Sequence, residues 1–229
     1  MIVVKDLPKQ IDKAVLDRLV QAEPATIGHF LDFGFVSPEI RSLFSDKRVA
    51  GTAVTVRFVG SDSTMMHYAL GKVRPGDILV VDRGGDRTMA GCGGGVAHAA
   101  MCAGAAGIVL DGVATDIAEL REHGMPVWAR GLSSVTTKRY FSNGEFCTTV
   151  SCGGVPVNPG DCILADENGI LVLPPDPAFI LECAERAIGM QNAEKARMPE
   201  IKAGAKISDL NGTTKRVDEI LAAQAAAKK

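Results

Sequence analysis

Glycine is concentrated in one short segment of the chain, residues 84–95, which we predict to be a loop directly before a run of small residues. Glycine lets the backbone approach a ligand closely because it has no side chain. We predict a helix over residues 96–104, and the first N–H groups of a helix have no intrahelical acceptor and attract anions. The predicted anion site consists of four consecutive amides, those of Gly93, Gly94, Gly95 and Val96. The alternative is a tight loop whose glycines serve packing alone.

Two established phosphate-binding motifs do not fit this segment. The P-loop requires a lysine followed by serine or threonine at its end, and residues 84–95 contain no lysine. The dinucleotide-binding fingerprint requires a glycine three positions after Gly93, where Val96 stands. The segment therefore predicts a site for a small anion without a nucleotide-binding signature.

Asp116 stands between a predicted strand, residues 107–112, and a predicted helix, residues 116–124. One interpretation is a helix N-cap, with Glu119 three residues later completing a capping box. The other is a carboxylate at the end of a strand that holds Mg²⁺, mainly through water. The residues alone leave both interpretations open. For His98, on the helix after the glycines, packing and ligand contact are likewise both possible.

Two arginines, Arg83 just before the glycine-rich segment and Arg87 within it, flank Asp86. Surface charge is one interpretation of this pattern. The other is anion binding, because the planar guanidinium group pairs with carboxylates and phosphates through two parallel hydrogen bonds. Both arginines are therefore candidates to supply positive charge to the predicted anion site.

The elements that must position these residues predict an α/β fold. Apolar residues alternate with polar ones at 49–59, as in a half-buried strand. A Pro-Gly-Asp turn followed by an apolar strand occurs twice, at 74–85 and at 158–174. Between them, residues 135–157 are typical of β-structure, with Asn143-Gly144 as a candidate hairpin turn.

The domain prediction divides the chain at one point. Residues 1–176 are predicted to form a single α/β domain. Residues 177–229 are predicted to form a C-terminal helical arm that packs on the core or on a neighbouring subunit. The arm should contain one helix at 177–197, ended by Pro199, and a second at 214–227.

Composition argues against several classes of function. Lys and Arg number 25, Asp and Glu number 27, and the formal net charge is −2, whereas nucleic-acid-binding proteins usually carry a clear basic excess. No apolar run approaches the ~20 residues of a membrane span, and the N-terminus lacks the pattern of a signal peptide. We therefore expect a cytoplasmic protein that binds neither nucleic acid nor membrane, and whose six cysteines are free thiols.

Several motifs together resemble one known family. They are PGDILVVD at 75–82, GGGVAHAA at 93–100, GIVLDGVATD at 107–116, HGMPVWARG at 123–131 and GGVPVNPGDCILADENGILVLP at 153–174. The chain resembles, over about residues 25–175, the family of class II 4-hydroxy-4-methyl-2-oxoglutarate/4-carboxy-4-hydroxy-2-oxoadipate aldolases and regulator of ribonuclease activity A. The resemblance implies an RraA-like α/β fold, with a central β-sandwich or barrel-like core and flanking helices, similar to the swivelling phosphohistidine domain.

The resemblance also assigns roles to residues. In the aldolases a Gly-Glu-Leu-Leu loop binds the pyruvyl carboxylate, and in a later Arg-Asp pair the Arg stabilises the enolate while the Asp holds Mg²⁺ or Mn²⁺. Here the loop corresponds to Gly93-Gly94-Gly95-Val96 and the pair to Thr115-Asp116. The resemblance thus implies substrate binding by Gly93, Gly94, Gly95, Val96 and Thr115, and metal binding by Asp116. Because the loop Glu and the Arg are replaced, we expect Arg83 or Arg87 to reach the site, and we assign Arg87 and Asp116 as the catalytic pair.

The resemblance implies two functions of different classes. One is a lyase dependent on Mg²⁺ or Mn²⁺, of the aldolase or decarboxylase type, that converts a 2-oxo acid to pyruvate through an enolate, with oxaloacetate decarboxylation as a side activity. The other is a non-catalytic regulator that binds a protein, which the replaced Glu and Arg favour. Family members form trimers or dimers of trimers, so we expect a homotrimer or a hexamer.

Overall fold

The computed structural model describes residues 1–44 and 46–227 of the chain. Its strands are β1 (Ile2–Val4), β2 (Arg41–Ser42), β3 (Val49–Arg57), β4 (Asp77–Cys92), β5 (Gly107–Ala114), β6 (Val127–Ala129), β7 (Val135–Thr136), β8 (Gly144–Phe146), β9 (Val150–Cys152), β10 (Val155–Val157), β11 (Cys162–Ala165) and β12 (Ile170–Leu173). Its helices are α1 (Lys13–Leu19), α2 (Pro24–Ile27), α3 (Thr64–Leu70), α4 (Gly94–Cys102), α5 (Ile117–His123), α6 (Pro177–Lys202), α7 (Ile207–Leu210) and α8 (Thr213–Ala226). The chain forms two compact units, Met1–Ile188 and Gly189–Lys229.

A ten-stranded sheet forms the centre of the first unit. Strands β3, β4, β5 and β6 lie side by side and run parallel, connected through α3, α4 and α5. Parallel neighbours require such crossover helices. Strand β11 pairs antiparallel with β3, and β12 pairs antiparallel with β11. The predicted α/β fold, with a large central sheet flanked by helices, is confirmed.

The two faces of the sheet belong to different hydrophobic clusters. On β4, Leu79 and Val81 pack in the cluster that includes residues of α3, α4 and α5, whereas Ile78 and Val80 pack in the cluster that includes residues of β9 to β12. Side chains alternate between the faces because a strand has a two-residue period. The central strands are therefore buried on both faces, which explains their nearly continuous apolar sequences.

Strand β4 is longer than the sequence predicts. Its first half pairs regularly with β5, but the register shifts between Asp82 and Asp86 and twice more before Cys92. The predicted loop at 84–95 is thus wrong over most of its length, because the glycine-rich chain continues as an irregular strand edge. Helix α4 begins at Gly94, two residues before the predicted start, and Val96 still lies in its first turn.

The predicted hairpin turn at Asn143-Gly144 is wrong. Gly144 begins β8, which pairs parallel with β1 and antiparallel with β3. The tight hairpin of this region joins β9 to β10 through Gly153 and Gly154. Both glycines have positive φ, 53° and 84°, as the central residues of a type I′ turn require. Glycine adopts positive φ without steric strain, so this Gly-Gly pair satisfies that requirement.

The C-terminal helices extend over most of the predicted arm. The first turns of α6 are amphipathic, and Ile180, Ala184 and Ala187 pack in a buried cluster with residues of α1, β11 and β12. The predicted break at Pro199 is wrong, since α6 continues to Lys202. A proline removes one N–H donor, and the good helix formers around it, such as those at 193–198, maintain the helix.

The second unit, Gly189–Lys229, is described to residue 227 and contains the end of α6 together with α7 and α8. The predicted helix at 214–227 is confirmed as α8, and neither α7 nor α8 has a buried residue. The last two residues of the predicted 177–229 arm lie outside the described residues. Among the helices described, none has both the length and the apolar character of a membrane span.

Candidate active site

The ends of two parallel strands bring the predicted site residues together. Cys92, the last residue of β4, lies in register with Ala114, the last residue of β5. The amide of Thr115 donates to the carbonyl of Cys92 at 2.9 Å, which holds the two chain segments side by side beyond the sheet. Gly93 and Asp116 therefore meet at the carboxyl edge, where open α/β sheets usually bind ligands.

A cavity of about 260 Å³ opens at this edge. Its lining residues are Ser63, His67, Ala90, Gly91, Cys92, Gly93, Gly95, Val96, Thr115, Asp116, Thr136 and Thr137. Five of the residues assigned to the site from sequence are among them, namely Gly93, Gly95, Val96, Thr115 and Asp116. The volume suits a small ligand of a few heavy atoms with its water.

Asp116 does not form the capping box that one interpretation predicted. Its side chain makes no hydrogen bond to the first turn of its own helix, α5. Instead its Oδ2 accepts from the amide of Gly94, at 3.0 Å, and its Oδ1 accepts from the Thr115 hydroxyl, at 3.1 Å. The carboxylate thus lies at the start of α4, where the helix dipole favours an anion.

The backbone of Asp116 is held in an uncommon conformation. Its φ is 56° and its ψ is 42°. These angles lie in the left-handed region, which residues other than glycine rarely adopt. Such strain costs about 1 kcal/mol or more and is concentrated at functional sites. The conformation turns the carboxylate away from α5 and toward the start of α4.

Two glycines leave room for acidic side chains. A Cβ atom at Gly93 would lie 2.5 Å from Asp116 Oδ2, and one at Gly94 would overlap the carboxylate of Glu119. A Cβ atom at Gly95 would meet nothing within 4 Å. The carboxylates of Asp116 and Glu119 therefore occupy the space beside the first turn of α4, and Gly93 and Gly94 are required for their close approach.

Two titratable groups of the cavity favour their neutral forms. Burial, aided by the negative charge of Asp116, raises the pKa of the Cys92 thiol to about 12. At neutral pH Cys92 is therefore a protonated thiol rather than a nucleophile. Partial desolvation of its ring, followed by the positive charge of Arg139, lowers the pKa of His67, which favours the uncharged imidazole.

The structure does not bring Arg87 to this cavity, contrary to the sequence-based expectation. Its guanidinium lies 2.6 Å from the carboxylate of Glu39, in a separate cavity that Arg130 also lines. The carboxylate of Glu39 is distant from Arg87 in the sequence but close to it in space, and it determines where the Arg87 side chain points. Arg87 therefore cannot act on a ligand beside Asp116 within this subunit.

Arg83 is also directed elsewhere. Its side chain is fully buried, pairs with Asp86 at 2.7 Å and stacks over the ring of Phe58, 4.6 Å from the ring centre. His98 is exposed on α4, where its ring lies 4.4 Å from that of His123. None of these side chains lines the cavity beside Asp116.

Several lining residues could not be found by sequence reasoning. Ser63 and His67 come from the start of α3, and Thr136 and Thr137 from the region of β7. Thr136 and Thr137 reach the cavity because β7 pairs in parallel with the irregular end of β4, and the Ser63 amide donates to the carbonyl of Lys138 nearby, at 2.7 Å. That pairing spans more than forty residues, and no local motif marks it.

The residues present fit one kind of metal site. Among residues 1–44 and 46–227, no three His, Cys, Asp or Glu side chains are grouped so that they could hold a metal ion. A closed structural zinc site is therefore not formed by these residues. Mg²⁺, by contrast, is often bound by one or two carboxylates, with water and substrate as the other ligands. The exposed carboxylate of Asp116 beside an open cavity fits that arrangement.

Comparisons with known proteins agree with the fold. The sequence profile of the RraA-like family, described as Aldolase/RraA, matches residues 19–172. A protein of Halalkalibacterium halodurans, provisionally named 4-hydroxy-4-methyl-2-oxoglutarate aldolase, is 36% identical over 59% of this chain. The match spans 64% of that protein, less than two thirds of its length.

Two further proteins illustrate the range of the similarity. The 4-hydroxy-4-methyl-2-oxoglutarate aldolase of Thermus thermophilus is 36% identical over 58% of this chain and 80% of its own. A solved structure of the RNA-processing inhibitor RraA from Thermus superposes with a TM-score of 0.61 and 32% identity, covering 67% of this chain and 93% of that one. Proteins named as aldolases and a protein named as an inhibitor are thus both similar to this chain.

Proposed function

Because this chain belongs to the RraA-like, Aldolase/RraA family, we propose that it is a carbon–carbon lyase that acts on a 2-oxo acid. The reaction is an aldol cleavage or a decarboxylation that yields pyruvate through its enolate. The observation that carries the proposal is the position of Asp116. Its carboxylate lies beside the free amides of the first turn of α4, on a cavity of about 260 Å³. Relatives named as aldolases support the reaction class.

Asp116 is the residue that would hold a divalent cation, Mg²⁺ or Mn²⁺. When bound, such a cation supplies Lewis-acid polarisation of the substrate's 2-oxo group. The Thr115 hydroxyl donates to Asp116 Oδ1 and orients the carboxylate. The Gly94 amide donates to the other oxygen, so both oxygens are held in place before any ligand arrives.

The amides of α4 would bind the substrate carboxylate. Gly95 and Val96 line the cavity and lie in the first turn of the helix. The N–H groups of a first turn have no hydrogen-bond acceptor within the helix. Their N–H groups and the helix dipole stabilise a carboxylate. The buried neutral thiol of Cys92 adds an apolar wall without competing as a nucleophile.

A non-catalytic regulator is the second candidate, and a specific observation favours it. Thr115 carries no positive charge to stabilise an enolate, and neither Arg83 nor Arg87 lines the cavity. The structurally similar RraA protein of Thermus is described as an RNA-processing inhibitor. The proposed enzyme and the regulator differ in whether this cavity binds a cation together with a small carboxylate.

Activity and ligand binding test the proposal together. The purified chain, with Mg²⁺ or Mn²⁺, should release pyruvate from oxaloacetate or from a 4-hydroxy-2-oxo acid. Asp116→Asn should lower the rate at least about 100-fold, whereas Asp17→Asn, an exposed carboxylate on α1 paired with Lys13, should not change it. Mn²⁺ with oxalate should raise the unfolding temperature of the wild type.

Three outcomes would each contradict one part of the proposal. Pyruvate release that survives Asp116→Asn unchanged would exclude Asp116 from the reaction. A wild-type chain that neither releases pyruvate nor responds to Mn²⁺ and oxalate would favour the regulator. The proposal includes a cytoplasmic homotrimer or hexamer, and sedimentation equilibrium that finds only the monomer would contradict this assembly.

A further inference from the structure

An aldol cleavage needs a proton transfer as well as a cation site and an anion site. A 4-hydroxy-2-oxo acid loses its hydroxyl proton as the bond between C3 and C4 breaks, and the enolate then gains a proton at C3. The side chains that usually transfer such protons are those of His, Glu, Asp, Lys, Tyr and Cys. Among the described residues that line the cavity beside Asp116, these types are represented by Cys92, Asp116 and His67.

Two of these three side chains are unsuited to the transfer. Burial raises the pKa of the Cys92 thiol to about 12, so at neutral pH it neither accepts a proton nor readily gives one away. The Asp116 carboxylate accepts hydrogen bonds from the Gly94 amide and the Thr115 hydroxyl, and it is the proposed ligand of the cation. His67 is the lining side chain that remains.

Helix α3 presents His67 to the cavity. Met65, Met66 and Ala69 attach the helix to the core, because all three pack in a buried cluster. The His67 residue is exposed and lines the cavity. The start of α3 is also fixed, since the Thr64 amide donates to the buried carboxylate of Asp62 at 3.0 Å. The imidazole therefore projects from an anchored helix and can exchange protons with solvent.

The charges around His67 favour the form of the ring that accepts a proton. Lys138 and Arg139 line a second cavity that His67 also lines, and Asp116 lines the first. Partial desolvation of the ring, followed by the positive charge of Arg139, lowers the pKa of His67. Neutral imidazole is the form that accepts a proton, so the ring is available as a base at neutral pH.

We propose that His67 is the general acid–base residue of the aldol cleavage. The inference rests on the proposed function, because it takes the cavity beside Asp116 as the substrate site. The neutral imidazole accepts the 4-hydroxyl proton, C4 becomes a carbonyl carbon, and the electron pair of the bond between C3 and C4 forms the pyruvate enolate. The imidazolium then donates the proton to C3, which yields pyruvate and restores the neutral ring.

Two reactions of the same site separate this role from a structural one. Cleavage of 4-hydroxy-2-oxopentanoate requires removal of a hydroxyl proton, whereas decarboxylation of oxaloacetate forms the same enolate without that step. His67→Gln should lower kcat for the cleavage about 100-fold, lower kcat for the decarboxylation less than about tenfold, and change oxalate affinity with Mn²⁺ less than about twofold. His98→Gln is the matched control, because His98 is exposed on α4 and does not line the cavity, and it should change none of the three.

The pH profile and chemical rescue test the proton transfer itself. In the wild type, kcat/KM for the cleavage should fall below a pH lower than the ordinary imidazole pKa of about 6.5, because imidazolium cannot accept the hydroxyl proton. This acid limb should be absent from the cleavage by His67→Gln. Imidazole added to the buffer should restore part of the cleavage rate of His67→Ala, which a purely structural role of the ring would not allow.

The outcomes distinguish the inference from the proposed function. If the wild type catalyses both reactions, and His67→Gln slows neither or slows both equally, the role of His67 is wrong and the proposed function stands. A wild type that decarboxylates oxaloacetate but does not cleave 4-hydroxy-2-oxopentanoate would also overturn that role. If the wild type releases pyruvate from neither compound and does not bind oxalate with Mn²⁺, the proposed function itself fails.

Discussion

The carboxylate of Asp116 accepts a hydrogen bond from the amide of Gly94, 3.0 Å away, and so lies at the start of a helix other than its own. The carboxylate of Glu119 approaches the same glycine. An anionic ligand on the neighbouring amides of Gly95 and Val96 would therefore be repelled by these two carboxylates. A divalent cation between the anion and Asp116 would remove this repulsion, which leads to the first prediction.

Oxalate and Mn²⁺ should bind cooperatively. Without the metal, repulsion from Asp116 should keep oxalate affinity low, and Mn²⁺ should raise it at least about tenfold. In Asp116→Asn the charge is absent, so oxalate should bind with the same affinity whether or not Mn²⁺ is present. Calorimetric titration with and without Mn²⁺ measures this coupling, with Asp17→Asn as the unaffected control. Equal coupling in wild type and Asp116→Asn would contradict the arrangement.

The backbone of Asp116 predicts an unusual order of stabilities. Because its φ is 56°, Asp116→Gly relieves strain, whereas Asp116→Ala retains it and loses both side-chain hydrogen bonds. The glycine variant should be more stable than the alanine variant by about 1 kcal/mol. Urea unfolding of the two variants measures the difference. An alanine variant as stable as the glycine variant would show that position 116 relaxes to a right-handed conformation.

The glycines at the start of α4 should respond differently to alanine. Gly94→Ala should destabilise the fold because the new Cβ overlaps the Glu119 carboxylate. Gly95→Ala has free space and a better helix propensity, so it should be neutral or stabilising by up to about 0.5 kcal/mol. Adding Glu119→Ala removes the carboxylate but keeps a Cβ 2.7 Å from the new one, so it should restore only part of the stability lost in Gly94→Ala, as a double-mutant cycle would reveal. Additive effects would mean that the Glu119 carboxylate does not resist the substitution.

Asp62 should contribute stability that depends on pH. Burial alone would raise the pKa of Asp62, but hydrogen bonds from Thr64, Tyr140 and Ser142 outweigh it and hold the pKa well below its ordinary value. A depressed folded-state pKa contributes stability above the unfolded-state pKa of about 3.9, and this contribution is lost as the pH falls below it. Asp62→Asn should therefore cost about 2–4 kcal/mol at pH 7, and less at pH 3.

Equilibrium unfolding of the wild type and Asp62→Asn at several pH values measures this difference. A difference that stays constant between pH 7 and pH 3 would contradict the ionised, hydrogen-bonded state of Asp62. The same variant should loosen the segment that carries Arg139, because Asp62 accepts from the Tyr140 amide. Faster amide exchange at residues 138–143 would report that loosening.

The cysteines should differ sharply in reactivity. Of the six, all within the described residues, Cys102 is exposed and the other five are buried. Burial raises the pKa of the Cys92 thiol to about 12, so it should resist alkylation at pH 8. Iodoacetamide should therefore add one label to the native protein, at Cys102, and none to Cys102→Ser. Labelling of Cys92 in the native protein, detected by peptide mass spectrometry, would show that this thiol becomes accessible to solvent.

Elements whose signals are local were predicted well from the sequence. Strand β5 and helix α5 were predicted close to their observed bounds, because a continuous apolar run marks the strand and Gly124 ends the helix. The same holds for α8. The resemblance to the family assigned Gly93, Gly95, Val96, Thr115 and Asp116 to one site, and the structure places them around one cavity because the ends of adjacent parallel strands meet at one edge.

What the sequence by itself determined is the strands and helices with strong local signals, such as β5, α5 and α8, and the strand end that carries Asp116. Only the tertiary structure decided where long or ambiguous side chains point. Arg87 turns to Glu39, Asp116 turns to Gly94 rather than capping α5, and Thr136 and Thr137 come to the cavity through the pairing of β7 with β4. These outcomes depend on partners far away in the sequence, and local patterns carry no information about such partners.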